Sequence, residues 1–572
     1  MRRLLIVFIL LIAFAVLAAS IGIFFSGGKG ATVSGSRVLT WRIDGPLVDY
    51  FDAPNLSILF DRSQPMGLAR IHQALTRARN DDSIEGLAIY IQTARFGFGK
   101  AQELRSLLQS FSATGKFVDC YLETAGEGTN GTLSYYLATA CQRITLSPLG
   151  EWNVVGLHSD SPFIRGTLEK LRIEPQFLHV GDYKSAAEFY TETAHSEAAA
   201  EALGAVLDDL YDQIVEAIAE SRELTGEEVR QLIDLAPLDA EKALEYGLLD
   251  EVTYPDVFEE RFTERAADHS ATESLDDYMA GPVTRGKHRV AVVFAQGTIV
   301  RGGNGTDSWS QQRYVGSESL RQILRPLAED PGLAGVVLRV DSPGGSPVAS
   351  DLILREMELL AGKMPVVVSM SDVAASGGYY ISAKAAKIVA EPATITGSIG
   401  VVGGKLATRR FQQELLGISH DEMNRGANAD FFSPLDPFSP AQEAQYLALM
   451  TRIYDIFVDH VAAGRGLSRE EVEAVAGGRI WTGRQALEIG LVDEVGGLGR
   501  SIEMVLEAGG HDPQESTALE FYPRAPSLFE MLTRGLSPFL QAGSSPFPFL
   551  PVLRAPEALE LPVELLHLLR PS

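Results

Sequence analysis

Cysteine is nearly missing from this chain, with Cys120 and Cys141 the only two among 572 residues. One pair cannot build a disulfide framework, and no Cys/His cluster has zinc-ligand spacing, so both read as buried free thiols. Basic charge is short as well. Against 75 Asp and Glu stand 49 Lys and Arg, a net charge of −26. That argues against a nucleic-acid partner, because a phosphate backbone must be met by excess cations. Aromatic residues are only 8%, beside 45% hydrophobic and 22% charged residues. This balance excludes disorder, collagen-like repeats and a multi-spanning membrane protein. Familiar catalytic signatures are absent too. There is no H-E-x-x-H, no P-loop and no dinucleotide glycine fingerprint after a strand. The G-x-S-x-G elbow fails at Ala374, two residues before Ser376. The ten histidines are scattered, which leaves a Ser-His-Asp triad without an obvious base.

One long hydrophobic run is present. Residues 4–25, LLIVFILLIAFAVLAASIGIFF, carry no charge and no proline. As a helix they extend about 33 Å, enough for a hydrocarbon core of roughly 30 Å. Arg2 and Arg3 precede the run, so the positive-inside rule leaves the N-terminus in the cytoplasm and carries the rest across. Ala18-Ala19-Ser20 offers a signal-peptidase alternative, but IGIFF continues the apolar run past it. The expectation is an uncleaved anchor, followed by a flexible tether over 26–36.

The rest of the chain repeats itself. ALEYGLLDEV (243–252) and ALEIGLVDEV (486–495) agree at eight of ten positions. YYLATACQRI (135–144) pairs with YYISAKAAKI (379–388), and IDGPLV (43–48) with AQGTIV (295–300). Several collinear matches mean a tandem duplication. Within the second copy, HRVAVVFAQGTI, AGVVLRVDS, MPVVVSM and KIVAEPA have strand length and β-branched content. SPVASDLILREMELLAG between them has helical spacing. Strands alternating with helices predict an α/β fold with parallel sheets. The expected copies are 37–260 and 288–509, joined by a polar linker over 261–287. A Pro/Leu-rich tail, 510–572, is expected to pack on the core.

Two glycine-rich turns in the second copy could hold chemistry. One is Asp341-Ser342-Pro343-Gly344-Gly345-Ser346; the other runs from Ser371 to Tyr380 and contains Ser376-Gly377-Gly378. Backbone N–H groups at such turns can stabilise an oxyanion, yet Ser376 could equally be a plain helix N-cap. The duplication weighs against the plain reading. Thr132 stands opposite Ser376, so the fold does not require the Ser-Gly-Gly turn. Conversely, GDYKSAAE (181–188) aligns with GANADFFS (426–433), which sets Lys184 opposite Ala429. Each copy keeps one complementary part.

DSPGGS, SDVAASGGYY, TGSIGVVGG (396–404), GDYKSAAE and RGANADFF (425–432) together resemble peptidase family S49, the long, duplicated signal peptide peptidases. The resemblance implies a crotonase/Clp-protease-like fold in each copy and a membrane-anchored serine peptidase. It implies a Ser-Lys dyad, with Ser376 as nucleophile and Lys184 as general base. Gly377 with Gly344 or Gly345 would form the oxyanion hole, and Ser398 would hold the lysine amine unless it is an ordinary turn hydroxyl. Lys184 must then be neutral, through a pKa lowered by desolvation; as a loop amine it is expected to contribute little to the core. No cofactor and no metal is implied. The implied substrates are signal peptides and other unfolded hydrophobic peptides, acted on by a homotetramer. Its site would be on the periplasmic or outer face of the inner (cytoplasmic) membrane, held by a single-pass anchor. A non-catalytic anchored scaffold and an acyl-CoA enzyme of the same fold are the rival readings.

Overall fold

A computed structural model describes residues 36–51, 66–265, 271–281, 286–307 and 312–524. The expected anchor over 4–25 lies outside the described residues, as does the tail beyond 524. Among the described residues no helix is long and apolar enough to cross a membrane.

Two mainly parallel sheets, one per copy, carry the fold. In the first, the strand order is Ala271–Ser274, Arg37–Val48, Ile84–Arg95, Phe117–Leu122, Arg143–Leu146 and Glu251–Val252. The second runs Thr517–Tyr522, His288–Gln296, Gly335–Ser342 and Val366–Ala375, then divides between Lys387–Ala390 and Ile395–Gly397. Helices between consecutive strands cover the faces, which is why the strands read as continuous apolar runs. The order is the same in both copies. So are details of the hydrogen bonding. Tyr135 Oη donates to Leu248 O at 2.6 Å, and Tyr379 Oη donates to Leu491 O at 2.9 Å. Asp250 accepts from the Ile144 N–H, and Asp493 from the Ile388 N–H. Capping boxes at Thr225 with Glu228 and at Ser468 with Glu471 start equivalent helices.

Three expectations need correcting. The stretch 261–287 is not a bare linker: its strand Ala271–Ser274 adds to the edge of the first sheet, paired in parallel with Arg37–Thr40. The tail begins with Thr517–Tyr522, which pairs with His288–Val293 at the edge of the second sheet. Both segments alternate too weakly to read as strands, and an existing sheet edge supplies the partner. Cys120 and Cys141 are not separate thiols. The turn after the helix Thr132–Ala138 folds back on the strand Phe117–Leu122, with the Gln142 N–H on Val118 O, and brings their Cα atoms to 5.9 Å as a disulfide.

The copies interlock. Each sheet has its own apolar core, and Ala393 and Ile395 of the second copy enter the first core. Tyr50 of the first copy stacks on Phe294 of the second with ring centroids 4.7 Å apart. The strand Glu174–Val180 of the first copy pairs antiparallel with Val401–Ala407 of the second. This last pairing determines where the site forms.

Candidate active site

The strand Val366–Ala375 is buried along its whole length and ends directly at Ser376, which is only partly covered. Ser376 has φ +53° and ψ −117°, a backbone conformation unusual for a residue with a Cβ. A sharp strand-to-helix turn of this kind lifts the hydroxyl out of the sheet, although the glycine of the usual elbow is replaced by Ala374. The helix Gly377–Ser382 follows at once. Beside it lies Gly344, with φ +102°; a Cβ there would come within 2.5 Å of the Gly377 nitrogen. Only glycine lets the two turns touch.

The turns sort the oxyanion candidates. The Gly344 N–H already donates to Ser342 Oγ at 3.1 Å. Gly345 bridges to Ile299 through its neighbours, with the Ile299 N–H on Gly344 O and the Ser346 N–H on Ile299 O. Its own N–H has no acceptor among the described residues and lies beside Gly377. Gly345 and Gly377, side by side, therefore stay the oxyanion candidates, and Gly344 makes their approach sterically possible.

Lys184 arrives from the other copy. Beyond the strand Glu174–Val180, the Tyr183 N–H donates to Gly477 O at 2.8 Å, which fastens the loop to the second copy. A Cβ on Gly478 would lie within 2.6 Å of the Lys184 backbone, so the lysine seats there only against glycine. Its Nζ is 3.0 Å from Ser376 Oγ, 3.0 Å from Ser398 O and 2.9 Å from Ser398 Oγ. The side chain is not the loop amine expected to matter little to the core: Lys184 is 5% exposed. Burial alone lowers its pKa to about 7. Ser398 has φ +52°, and its N–H donates to Arg479 O at 2.8 Å, so it is a strained, anchored residue rather than a free turn hydroxyl.

The paired positions behave differently. Thr132 is buried, with Oγ1 on Gly156 O at 3.3 Å. Ala429 is exposed, yet it sits in a turn equivalent to that of Lys184: the Ala429 N–H meets Gly426 O at 3.3 Å, and the Lys184 N–H meets Gly181 O at 3.2 Å. The structure therefore brings Ser376, Lys184, Ser398, Gly345 and Gly377 together once, within a single chain. The sequence reading missed Gly478, the seat of the lysine, whose signal is a Gly477-Gly478 pair at the end of an otherwise helical segment.

Chemically, a neutral lysine amine has two N–H donors and one lone pair. Ser398 O and Oγ can accept the two donors, which turns the lone pair toward Ser376 Oγ. That arrangement can take the serine proton.

Known proteins resemble this chain along most of its length. The model of peptidase family S49 matches residues 123–268 and 358–508, one segment in each copy. Serine protease SPPA, chloroplastic, from Arabidopsis thaliana is 32% identical over 448 residues, which are 76% of this chain and 65% of that protein. Just under two thirds of the chloroplast protein is thus spanned. Protease 4 from Haemophilus influenzae is 30% identical over 529 residues, 86% of this chain and 83% of that protein. Protease 4 from Salmonella typhi is 29% identical over 501 residues, covering 84% and 78%. Matched in both copies and along most of a relative's length, the chain belongs to peptidase family S49 and is a serine peptidase.

Proposed function

We propose that Ser376 is the nucleophile and Lys184 the general base of a Ser-Lys dyad that hydrolyses peptide bonds through an acyl-enzyme. The observation that carries this reading is the 3.0 Å contact between Lys184 Nζ and Ser376 Oγ, made by a lysine whose pKa burial lowers to about 7. In acylation Ser376 Oγ attacks the scissile carbonyl carbon while its proton passes to Lys184 Nζ. The carbonyl oxygen takes up charge facing the Gly345 and Gly377 N–H groups. Lys184 then gives its proton to the departing amine. In deacylation a water loses a proton to Lys184, its oxygen attacks the acyl carbon, and Ser376 Oγ leaves with the proton returned. Ser398 holds the amine through both steps.

The substrates in this reading are signal peptides and other unfolded hydrophobic peptides, met at the outer face of the inner membrane. The apolar run over 4–25 supports an anchor, which would raise the local concentration of peptides released into the bilayer. A homotetramer would narrow access to unfolded chains. A fluorophosphonate tests the chemistry. It should label wild-type protein on Ser376 and leave Ser376→Ala unlabelled; label on any other serine would refute the assignment. N-terminal sequencing of the mature protein tests the anchor, since a start near Ile21 would show a cleaved leader instead.

A further inference from the structure

A second lysine from the first copy enters the second copy behind the dyad. Lys100 opens the helix Phe98–Ser112 and is buried. Its Nζ lies 2.6 Å from Asp372 Oδ2, 2.7 Å from Asp341 Oδ2 and 3.5 Å from Asp49 Oδ2. Asp372 also closes the N-terminus of that helix, accepting from the Gly97 N–H at 3.1 Å and the Lys100 N–H at 2.8 Å. Asp49 in turn accepts from Arg339 Nε at 2.8 Å, and Arg339 reaches Glu103 and Ser371. Burial works against the charge on Lys100, but the three carboxylates outweigh it and raise its pKa.

The two aspartates held by Lys100 stand at the roots of the two catalytic turns. Asp341 directly precedes Ser342-Pro343-Gly344-Gly345, and Asp372 is four residues before Ser376. Asp341 Oδ1 also accepts from the Val373 N–H at 3.2 Å, crossing from one turn's strand to the other's. The first copy offers a comparison. Ile91 pairs with Leu122 there as Val340 pairs with Met370 in the second. In that register Gln92 stands where Asp341 does, Glu123 where Ser371 does and Thr124 where Asp372 does; Gln92 and Glu123 bond each other directly at 2.9 Å and in the open. No lysine bridges that pair among the described residues. Burying one ammonium among several carboxylates is an expensive way to stabilise a fold, since apolar packing of the same volume does as well. Among the described residues the cluster lies only behind the copy that carries Ser376.

We propose that Lys100 is a positioning residue for peptide hydrolysis: by tying Asp341 to Asp372 it sets the distance between the Gly345 N–H and Ser376 Oγ. This rests on the dyad reading, because it concerns the same nucleophile and oxyanion donors. A shift of about 1 Å between such groups lowers a rate by roughly 10²-fold without weakening substrate binding.

The experiment is steady-state hydrolysis of a short hydrophobic peptide across pH, with thermal unfolding, for wild type, Lys100→Met, Asp341→Asn and Ser376→Ala. Lys100→Met should lower kcat by roughly 10²-fold, hold KM within about twofold, and leave the midpoint of the pH rise where wild type has it. A lower Tm with unchanged kcat would make Lys100 structural and overturn the proposal. So would a pH midpoint that moves with kcat, which would mean that Lys100 acts on the charge of Lys184. If Lys100→Met does not fold, Asp341→Asn decides. It keeps the shape and removes one arm of the tie, and it should lower kcat by about tenfold at unchanged KM; wild-type kcat in that variant overturns the proposal. Residual hydrolysis by Ser376→Ala would refute the dyad itself, separately from the role of Lys100.

Discussion

Lys184 and Ser376 are 192 residues apart in sequence, belong to different copies of the repeat, and meet at 3.0 Å within one chain. Each position has lost its partner in its own copy. Thr132 stands where a second nucleophile would be, and Ala429 occupies the turn where a second lysine would be. The antiparallel pairing of Glu174–Val180 with Val401–Ala407 is the physical link that makes one site from two halves.

Activity should rise with pH and reach half its plateau near pH 7. Lys184 must be neutral to accept the serine proton, and burial alone places its pKa at about 7. Among the described residues no carboxylate opposes the shift, so the rising limb should be a single titration, read from kcat/KM against pH. Lys184→Arg should be inactive throughout that range, because a guanidinium stays protonated. Substantial hydrolysis by the Arg variant would remove Lys184 from the mechanism.

The same burial makes Lys184 a thermodynamic burden. Its folded pKa of about 7 lies below the unfolded value of 10.5, so between these the unfolded chain binds more protons. Stability therefore rises with pH across that window; the penalty is fully present below pH 7 and gone above the unfolded value. At pH 7 the difference corresponds to about 4 kcal/mol. Lys184→Met removes the charge and retains most of the volume, so it should raise Tm at pH 7 and abolish peptidase activity. The gain should shrink as both proteins are taken toward pH 10. A Met variant less stable than wild type at pH 7 would contradict a desolvated lysine.

Much of this was legible in the residues. Strands such as AGVVLRVDS and MPVVVSM and the helix SPVASDLILREMELLAG were placed by period and composition, because both faces of a parallel sheet are buried. The exchange of Thr132 for Ser376 and of Lys184 for Ala429 could be read because duplication supplies an internal control. What was hidden depended on three-dimensional closure. Ala271–Ser274 and Thr517–Tyr522 become strands because a sheet edge awaits them. Burial of Lys184 follows from the Gly478 seat; the Gly477-Gly478 pair is visible in the sequence, but not that a lysine of the other copy packs against it. Arg339 within an apolar strand and Asp372 within a small-residue run were visible anomalies, but their partners Asp49, Glu103 and Lys100 come from the other copy.

Thr132→Ala should leave hydrolysis within about twofold of wild type. The threonine hydroxyl makes one long hydrogen bond, to Gly156 O at 3.3 Å, while the backbone N–H keeps its bond to Asn130 Oδ1 in the variant. Its loss should cost about 1 kcal/mol of stability, the usual worth of one neutral hydrogen bond. Ser376→Ala should abolish activity. Comparable kinetic losses from the two variants would mean that both copies catalyse.

Ser398 offers the sharpest separation of orientation from basicity. Its carbonyl and hydroxyl oxygens each lie within hydrogen-bond reach of Lys184 Nζ, at 3.0 and 2.9 Å. Ser398→Ala keeps the carbonyl and removes the hydroxyl. The amine then has one acceptor for two N–H groups, and its lone pair is free to swing away from Ser376 Oγ. Rotation of this kind should lower kcat by roughly tenfold, while KM stays close to wild type because no substrate contact is lost. The variant also removes an acceptor that favours the charged amine, so the pH midpoint should move down from about 7. Folding should change little, since the backbone N–H of residue 398 keeps its bond to Arg479 O. Measuring kcat, KM and the pH profile of this one variant therefore checks the whole arrangement. Unchanged kcat would show that the carbonyl alone orients the lysine, and a raised pH midpoint would show that the hydroxyl had been disfavouring the ammonium.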